Sequence, residues 1–182
     1  MFLPIVSKSA FAGTLRRFLR RQDGSAAIEF AFVAPIFFAL IFALIETGLV
    51  FLAGQVLETG VQDGARLVYT SQSKSAEDFK AAVCARVSAL LDCSKLDIDV
   101  RSYDPGVPIT IANPIDNAGN YTPAALAYEP PKTYPSSQTV VVRGFYQWPL
   151  IVTGLGYDIA NIGRGTSSSK HLLAATAAVS SQ

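Results

Sequence analysis

The sequence predicts an α+β fold. One long N-terminal helix, membrane-spanning in its first part, continues into a small domain with a second helix and a three- to four-stranded antiparallel sheet. Three observations predict it. After Gly24 the chain turns apolar and stays so to about Gly54, with Glu46 the single charge between Phe30 and Gly54. Apolar residues then recur every three or four positions to about Thr70, and again after Ser75, which is helical spacing. Further on, runs beginning at Leu96, Thr139 and Lys170 have the character of strands.

The apolar segment reads as a retained membrane anchor. Residues 25–54 would rise about 45 Å as a helix, more than the ~30 Å of bilayer hydrocarbon. A secretory h-region is shorter and ends at a small-x-small cut site. Here Leu52 would occupy the −3 position ahead of Gln55 and is too large. Charge gives the orientation. Residues 1–24 form a basic leader with Lys8, Arg16, Arg17, Arg20 and Arg21 against Asp23, a net +4, while the other residues sum to −3. Basic flanks stay in the cytoplasm, so residues 55–182 are expected on the far side of the membrane. No basic, aromatic-interleaved patch lies outside the leader, which excludes nucleic acid as a partner.

Glu29 stands near the start of the span. A charge at mid-bilayer costs about 2.5–3.5 kcal/mol on the insertion scale, so such an acid is kept for a partner. A cut between Gly24 and Ser25 would create one, a free amine. Glu46, about 25 Å further up the helix, is expected to reach the outer headgroups and to need no partner. Pro35 lacks an N–H and should bend the helix. Beyond the membrane, Leu57, Val61, Ala65 and Val68 form the apolar stripe, and one helix is expected from about Ser25 to Thr70. Gly60 and Gly64 leave a flat strip where another backbone could approach.

Ser75 followed by Asp78 is a capping-box-like start for the second helix. Its stripe is Phe79, Val83, Val87, Leu90 and Leu91, and its end is expected near Asp92. Cys84 and Cys93 are the only cysteines. On a straight helix they would lie about 13.5 Å apart, beyond the ~7 Å limit for Cα atoms in a disulfide. A bridge is nevertheless expected on the oxidising side of the membrane, with the chain folding back after Leu91. Two sulfurs and the lone His171 make no metal site, and His171 reads as a strand residue rather than a catalyst. No cofactor, small-molecule substrate or enzymatic activity is expected.

Leu96, Ile98 and Val100 alternate with Asp97, Asp99 and Arg101, a half-buried strand with one solvated face. Residues 104–138 hold seven of the ten prolines and form a long loop, with a helical turn at Ala124–Ala127. Strands follow at Thr139–Trp148 and Lys170–Val179. Aromatic and aliphatic residues crowd around Pro149, among them Tyr146, Trp148, Leu155 and Tyr157. They read either as core facing the second helix or as an interface patch against a bilayer or another subunit.

The run Gly24-Ser25-Ala26-Ala27-Ile28-Glu29-Phe30, then Ala34-Pro35, Ile45-Glu46 and Gly64-Ala65-Arg66, resembles the TadE-like family of tight-adherence (Tad, Flp-type) pilus assembly proteins. These look like type IV prepilins and pseudopilins in their N-terminal part. Gln62-Asp63 stands where an Arg-Glu pair is common. The resemblance implies a pilin-like, non-enzymatic minor pilin or pseudopilin in a bacterial inner membrane, with its C-terminal domain in the periplasm. A prepilin peptidase would cut between Gly24 and Ser25. Further implied partners are the major pilin, companion minor pseudopilins and the inner-membrane pilus platform. The alternative is a permanently anchored periplasmic binding or scaffolding module.

Overall fold

The computed structural model describes residues 25–132, 136–152, 157–166 and 168–180. The leader, with Gly24, and Leu155 lie outside the described residues. The chain divides into two compact units, Met1–Ile41 and Phe42–Gln182. Helix α1, Ser25–Tyr69, contributes to both and is assigned continuously through Pro35.

In the first unit the helix is apolar on all sides beyond Glu29. Phe30, Phe32, Val33, Ile36 and Leu40 are all exposed, a surface suited to lipid rather than water. Among the described residues α1 is the one helix long and apolar enough to cross a membrane.

The second unit is built on the continuation of α1. Ala53, Leu57, Val61, Ala65 and Val68 are buried at helical spacing, as the sequence implies. The helix ends where Ser71 adopts a left-handed backbone, φ 57°. Gln72 N–H then donates to the Leu67 carbonyl at 2.9 Å, satisfying an otherwise orphaned acceptor.

Helix α2 is Ala76–Val87, started by Ser75, whose hydroxyl accepts from Asp78 N–H at 3.1 Å. It buries Phe79, Val83 and Val87. It stops earlier than the stripe suggests. Leu90 and Leu91 N–H both donate to the Val87 carbonyl, forming a tight turn that tucks Leu91 inward without continuing the helix. The reversal therefore begins after Val87, not after Leu91. It brings Cys93 to Cys84 with a Cα separation of 5.7 Å, and the two are bridged.

The sheet has four strands: β1 Leu96–Tyr103, β2 Tyr128–Glu129, β3 Thr139–Pro149 and β4 Lys170–Ser180, in the order β2-β1-β3-β4. The three long strands are antiparallel, with Asp99 opposite Arg143 and Trp148 opposite His171. The short β2 is parallel to β1, with Val100 opposite Tyr128, so the sheet is mixed rather than wholly antiparallel. A parallel neighbour needs a crossover of a dozen or more residues, and the proline-rich excursion after β1 is that crossover. Its helical turn is the short 3₁₀ segment Pro123–Ala125.

Both sheet faces are covered. Val140, Val142, Tyr146, Leu173 and Ala175 join the helices in the main core. On the other face Phe145, Ile162 and Leu172 pack with Ile115, Tyr121 and Leu126 from the excursion and the β3–β4 connection. This overturns the expectation that Asp97, Asp99 and Arg101 line a solvated face. The polar alternation of β1 is real, but the excursion folds over it.

Candidate functional site

The expected site residues fall into separate groups. Ser25 opens α1, and Glu29 is exposed in its second turn within the first unit. The Gly64-Ala65-Arg66 motif lies in the second unit and has a packing explanation. A Cβ on Gly64 would stand 2.6 Å from Phe79 Cε2 and 2.9 Å from Val83 Cγ2, closer than side chains tolerate. A Cβ on Gly60 would meet Val87 Cγ1 at 2.8 Å. The small-residue strip therefore receives α2 of the same chain. Ala65, almost fully buried, joins the main core. Arg66 lies in the last turn of α1, where a cation suits the negative end of the helix dipole. One turn before it, Asp63 pairs with Arg86 of α2 at 3.0 Å.

The cluster around Pro149 divides. Tyr146 is core, and its hydroxyl accepts from Asp92 N–H at 3.3 Å. Trp148 is half-buried, its ring 6.3 Å from that of Tyr146. Tyr157 is exposed and bonds Thr47 Oγ1 at 2.9 Å. Because Thr47 already donates its own hydroxyl proton to the Ala43 carbonyl at 2.8 Å, Tyr157 is the donor. Beyond Tyr146, the described residues Trp148, Ile151, Val152 and Tyr157 meet α1.

Glu46 is the residue that sequence reasoning dismissed. Against the expectation that it needs no partner, it is only 6 % exposed and hydrogen-bonded. Its carboxylate accepts from Ile151 N–H and from Val152 N–H, the latter at 3.1 and 3.3 Å. Consecutive residues of one helical turn, Glu46 and Thr47, thus pin both described ends of the segment that leaves β3. The signal available beforehand was the pairing of an acid inside an apolar run with an apolar turn, Pro149–Val152, ending a strand.

A second buried charge group holds the excursion in place. Arg143 donates to Asp99 Oδ2 from Nη2 at 2.6 Å and from Nε at 2.9 Å. Asp99 Oδ1 accepts from Arg101 Nε at 3.2 Å and from Ala127 N–H at 2.8 Å. Arg143 and Arg101 also donate to the carbonyls of Ala112 and Ala125. Each contact of this cluster with the excursion is to its backbone, so the cluster reads as a clamp on that loop. Beside it Tyr121 donates to Asp97 Oδ2 at 2.9 Å. Burial, reinforced by that acid, raises the Tyr121 hydroxyl well above the usual phenol range. His171 is a β4 residue whose Nδ1 lies 2.7 Å from the Ile159 carbonyl.

No curated protein and no solved structure gives a significant match to this chain. The model of the family described as TadE-like protein matches residues 24–66, from Gly24 to Arg66 of the Gly-Ala-Arg motif, and so bears out over that helix the resemblance read from the sequence.

Proposed function

We propose that this chain is a non-enzymatic minor pilin or pseudopilin of the TadE type, acting in assembly of Tad pili from a bacterial inner membrane. The observation that carries this is where the family match begins. It starts at Gly24, the last residue of the basic leader, and runs through an apolar, membrane-length helix. A leader ending in glycine directly against a span suits a prepilin peptidase, since a residue without Cβ lets the protease approach the backbone closely. Cleavage makes Ser25 the first residue and Glu29 the fifth. In this reading Glu29 sets subunit register by meeting the new ammonium group of a neighbouring subunit. The major pilin, companion pseudopilins and the membrane platform are its partners, and the folded domain is periplasmic.

Mass spectrometry of the chain from native membranes tests this. The mature form should begin at Ser25, and Gly24→Val should block processing. Glu29→Ala should leave insertion and cleavage intact but abolish piliation. An intact leader on chains within pili, or normal piliation by Glu29→Ala, would refute the proposal and favour a permanently anchored periplasmic module.

A further inference from the structure

Within the second unit, the turns of α1 from Phe42 to Leu49 and the turn leaving β3 enclose an apolar cleft of about 350 Å³. That is within the ~300–1,000 Å³ range of small-ligand clefts. Phe42, Ile45 and Leu49 form one wall, and Trp148, Pro149 and Ile151 the other. Among the described residues the only charged group in the lining is Glu46, and its oxygens are turned to the Ile151 and Val152 N–H groups. Apart from the Trp148 indole N–H, no described side chain in the lining offers a polar ligand a donor.

We infer that this turn is a lipid-immersed elbow, and that its cleft takes up acyl chains of the leaflet nearer the folded domain. The inference rests on the membrane-span reading of α1, and three observations carry it. The same turns of the helix are apolar on their other sides too, where Leu44, Phe51 and Leu52 are more than half exposed. Ile151, at the tip of the turn, is 88 % exposed, an orientation without advantage in water. Irregular backbone is tolerated in hydrocarbon only when its polar groups are satisfied by protein, and Glu46 satisfies two consecutive N–H groups of the turn. Each feature resolves the other's difficulty. An acid in an apolar helix needs donors, and a turn in lipid needs acceptors. Trp148 and Tyr157 flank the elbow, where amphipathic rings favour the edge of the bilayer.

Trp148 is the only tryptophan, so its emission reports on this cleft alone. The full chain would be reconstituted at low protein-to-lipid ratio in phosphatidylcholine vesicles, with acyl chains brominated near the headgroup or near the methyl end. Near-headgroup bromine should quench Trp148 about twofold or more, and methyl-end bromine less, as befits an interfacial ring. Ile151→Asp alters an exposed side chain and should lift the elbow out, losing most of the quenching while the Cys84–Cys93 bridge still forms. Glu46→Ala should do the same by freeing the turn. Alkaline carbonate extraction separates the two premises. If the chain is extracted, the membrane-span reading itself fails. A carbonate-resistant wild-type chain whose Trp148 is not quenched overturns the elbow alone, including the case in which a second subunit fills the cleft. Quenching unchanged by Ile151→Asp overturns it as well.

Discussion

Replacing Asp99 by Asn should destabilise the folded domain by about 3 kcal/mol, within the ~3–5 kcal/mol range for removing one partner of a buried ion pair. The structure shows where the loss arises. Asp99 accepts four hydrogen bonds, two on each oxygen. An amide has one acceptor oxygen, so two of the four donors would face an NH₂ group. Arg143 is nearly inaccessible, its side chain 5 % exposed, whereas that of Arg101 is 29 % exposed. The amide should therefore keep its oxygen on Arg143 and turn its nitrogen toward Arg101 and Ala127 N–H, where water can compensate in part. Hydrogen bonds to charged groups contribute about 1.5–3 kcal/mol each. Losing two, with partial rescue of one and a neutral acceptor left for Arg143, comes to about 3 kcal/mol. Urea unfolding of the full chain in micelles, followed by Trp148 fluorescence, reads this out. With a slope of ~1–3 kcal/mol per molar urea, the midpoint should fall by about 1–3 M. Asp104→Asn, at an exposed acid that accepts from Gln138 Nε2, should change stability by less than about 1 kcal/mol. The double variant Asp99→Leu with Arg143→Met should recover much of the loss, because no charge is then left buried alone. An Asp99→Asn loss no larger than that of Asp104→Asn would refute the clamp.

Further outcomes are expected. Gly64→Ala should cost about 1–3 kcal/mol by overpacking against Phe79 and Val83. Gly54→Ala, where nothing lies within 4 Å, should gain up to about 1 kcal/mol of helix propensity, and both are readable in the same urea experiment. Cys84 and Cys93 should resist alkylation in non-reducing extracts, and Cys93→Ser should lower stability by no more than about 3 kcal/mol, since the closed loop is short. The Tyr121 hydroxyl is raised by burial and by Asp97, so its contribution is complete below the phenol value of the unfolded chain, about 10. It is lost progressively as pH climbs from there toward the higher folded value. Absorbance titration should show Tyr121, together with Tyr128, whose hydroxyl burial also raises, lagging behind the other tyrosines near pH 10, and Tyr121→Phe should remove its share of that lag.

What could be read from the sequence is what local pattern encodes. The stripe Leu57, Val61, Ala65, Val68 and the small residues Gly60 and Gly64 specify a helix and a flat side on it. They do not say whether the element in the notch comes from a neighbour or, as here, from Val83 and Phe79 of the same chain. The period of two in β1 correctly separated Leu96 and Val100 from Asp97 and Asp99. Alternation reports only that two faces differ, and it cannot distinguish water from a buried Arg143 that lies 44 residues further on. The two-residue β2 is too short for any periodic signal, so the parallel pairing was invisible. The end of α2 was misplaced because Leu90 and Leu91 continue its stripe, although they are buried by a turn.

Glu46 shows the limit most sharply. Its donors are backbone N–H groups more than a hundred positions away, and a backbone group has no side-chain identity for a sequence to display. What the sequence did display was the difficulty on each side, an acid placed among apolar residues and a Pro-Leu-Ile-Val turn with no evident shelter. Glu29 is the other acid of the apolar run, near its opposite end. Glu46 is met by donors within its own chain, which suits a subunit whose folded domain holds its own helix. In the proposed function Glu29 is met by a neighbour's ammonium group, which suits a residue that acts only on assembly. The two acids of one helix would then divide its work. Removing Glu46 should disturb the single subunit, whereas removing Glu29 should leave the subunit folded and prevent its addition to a filament.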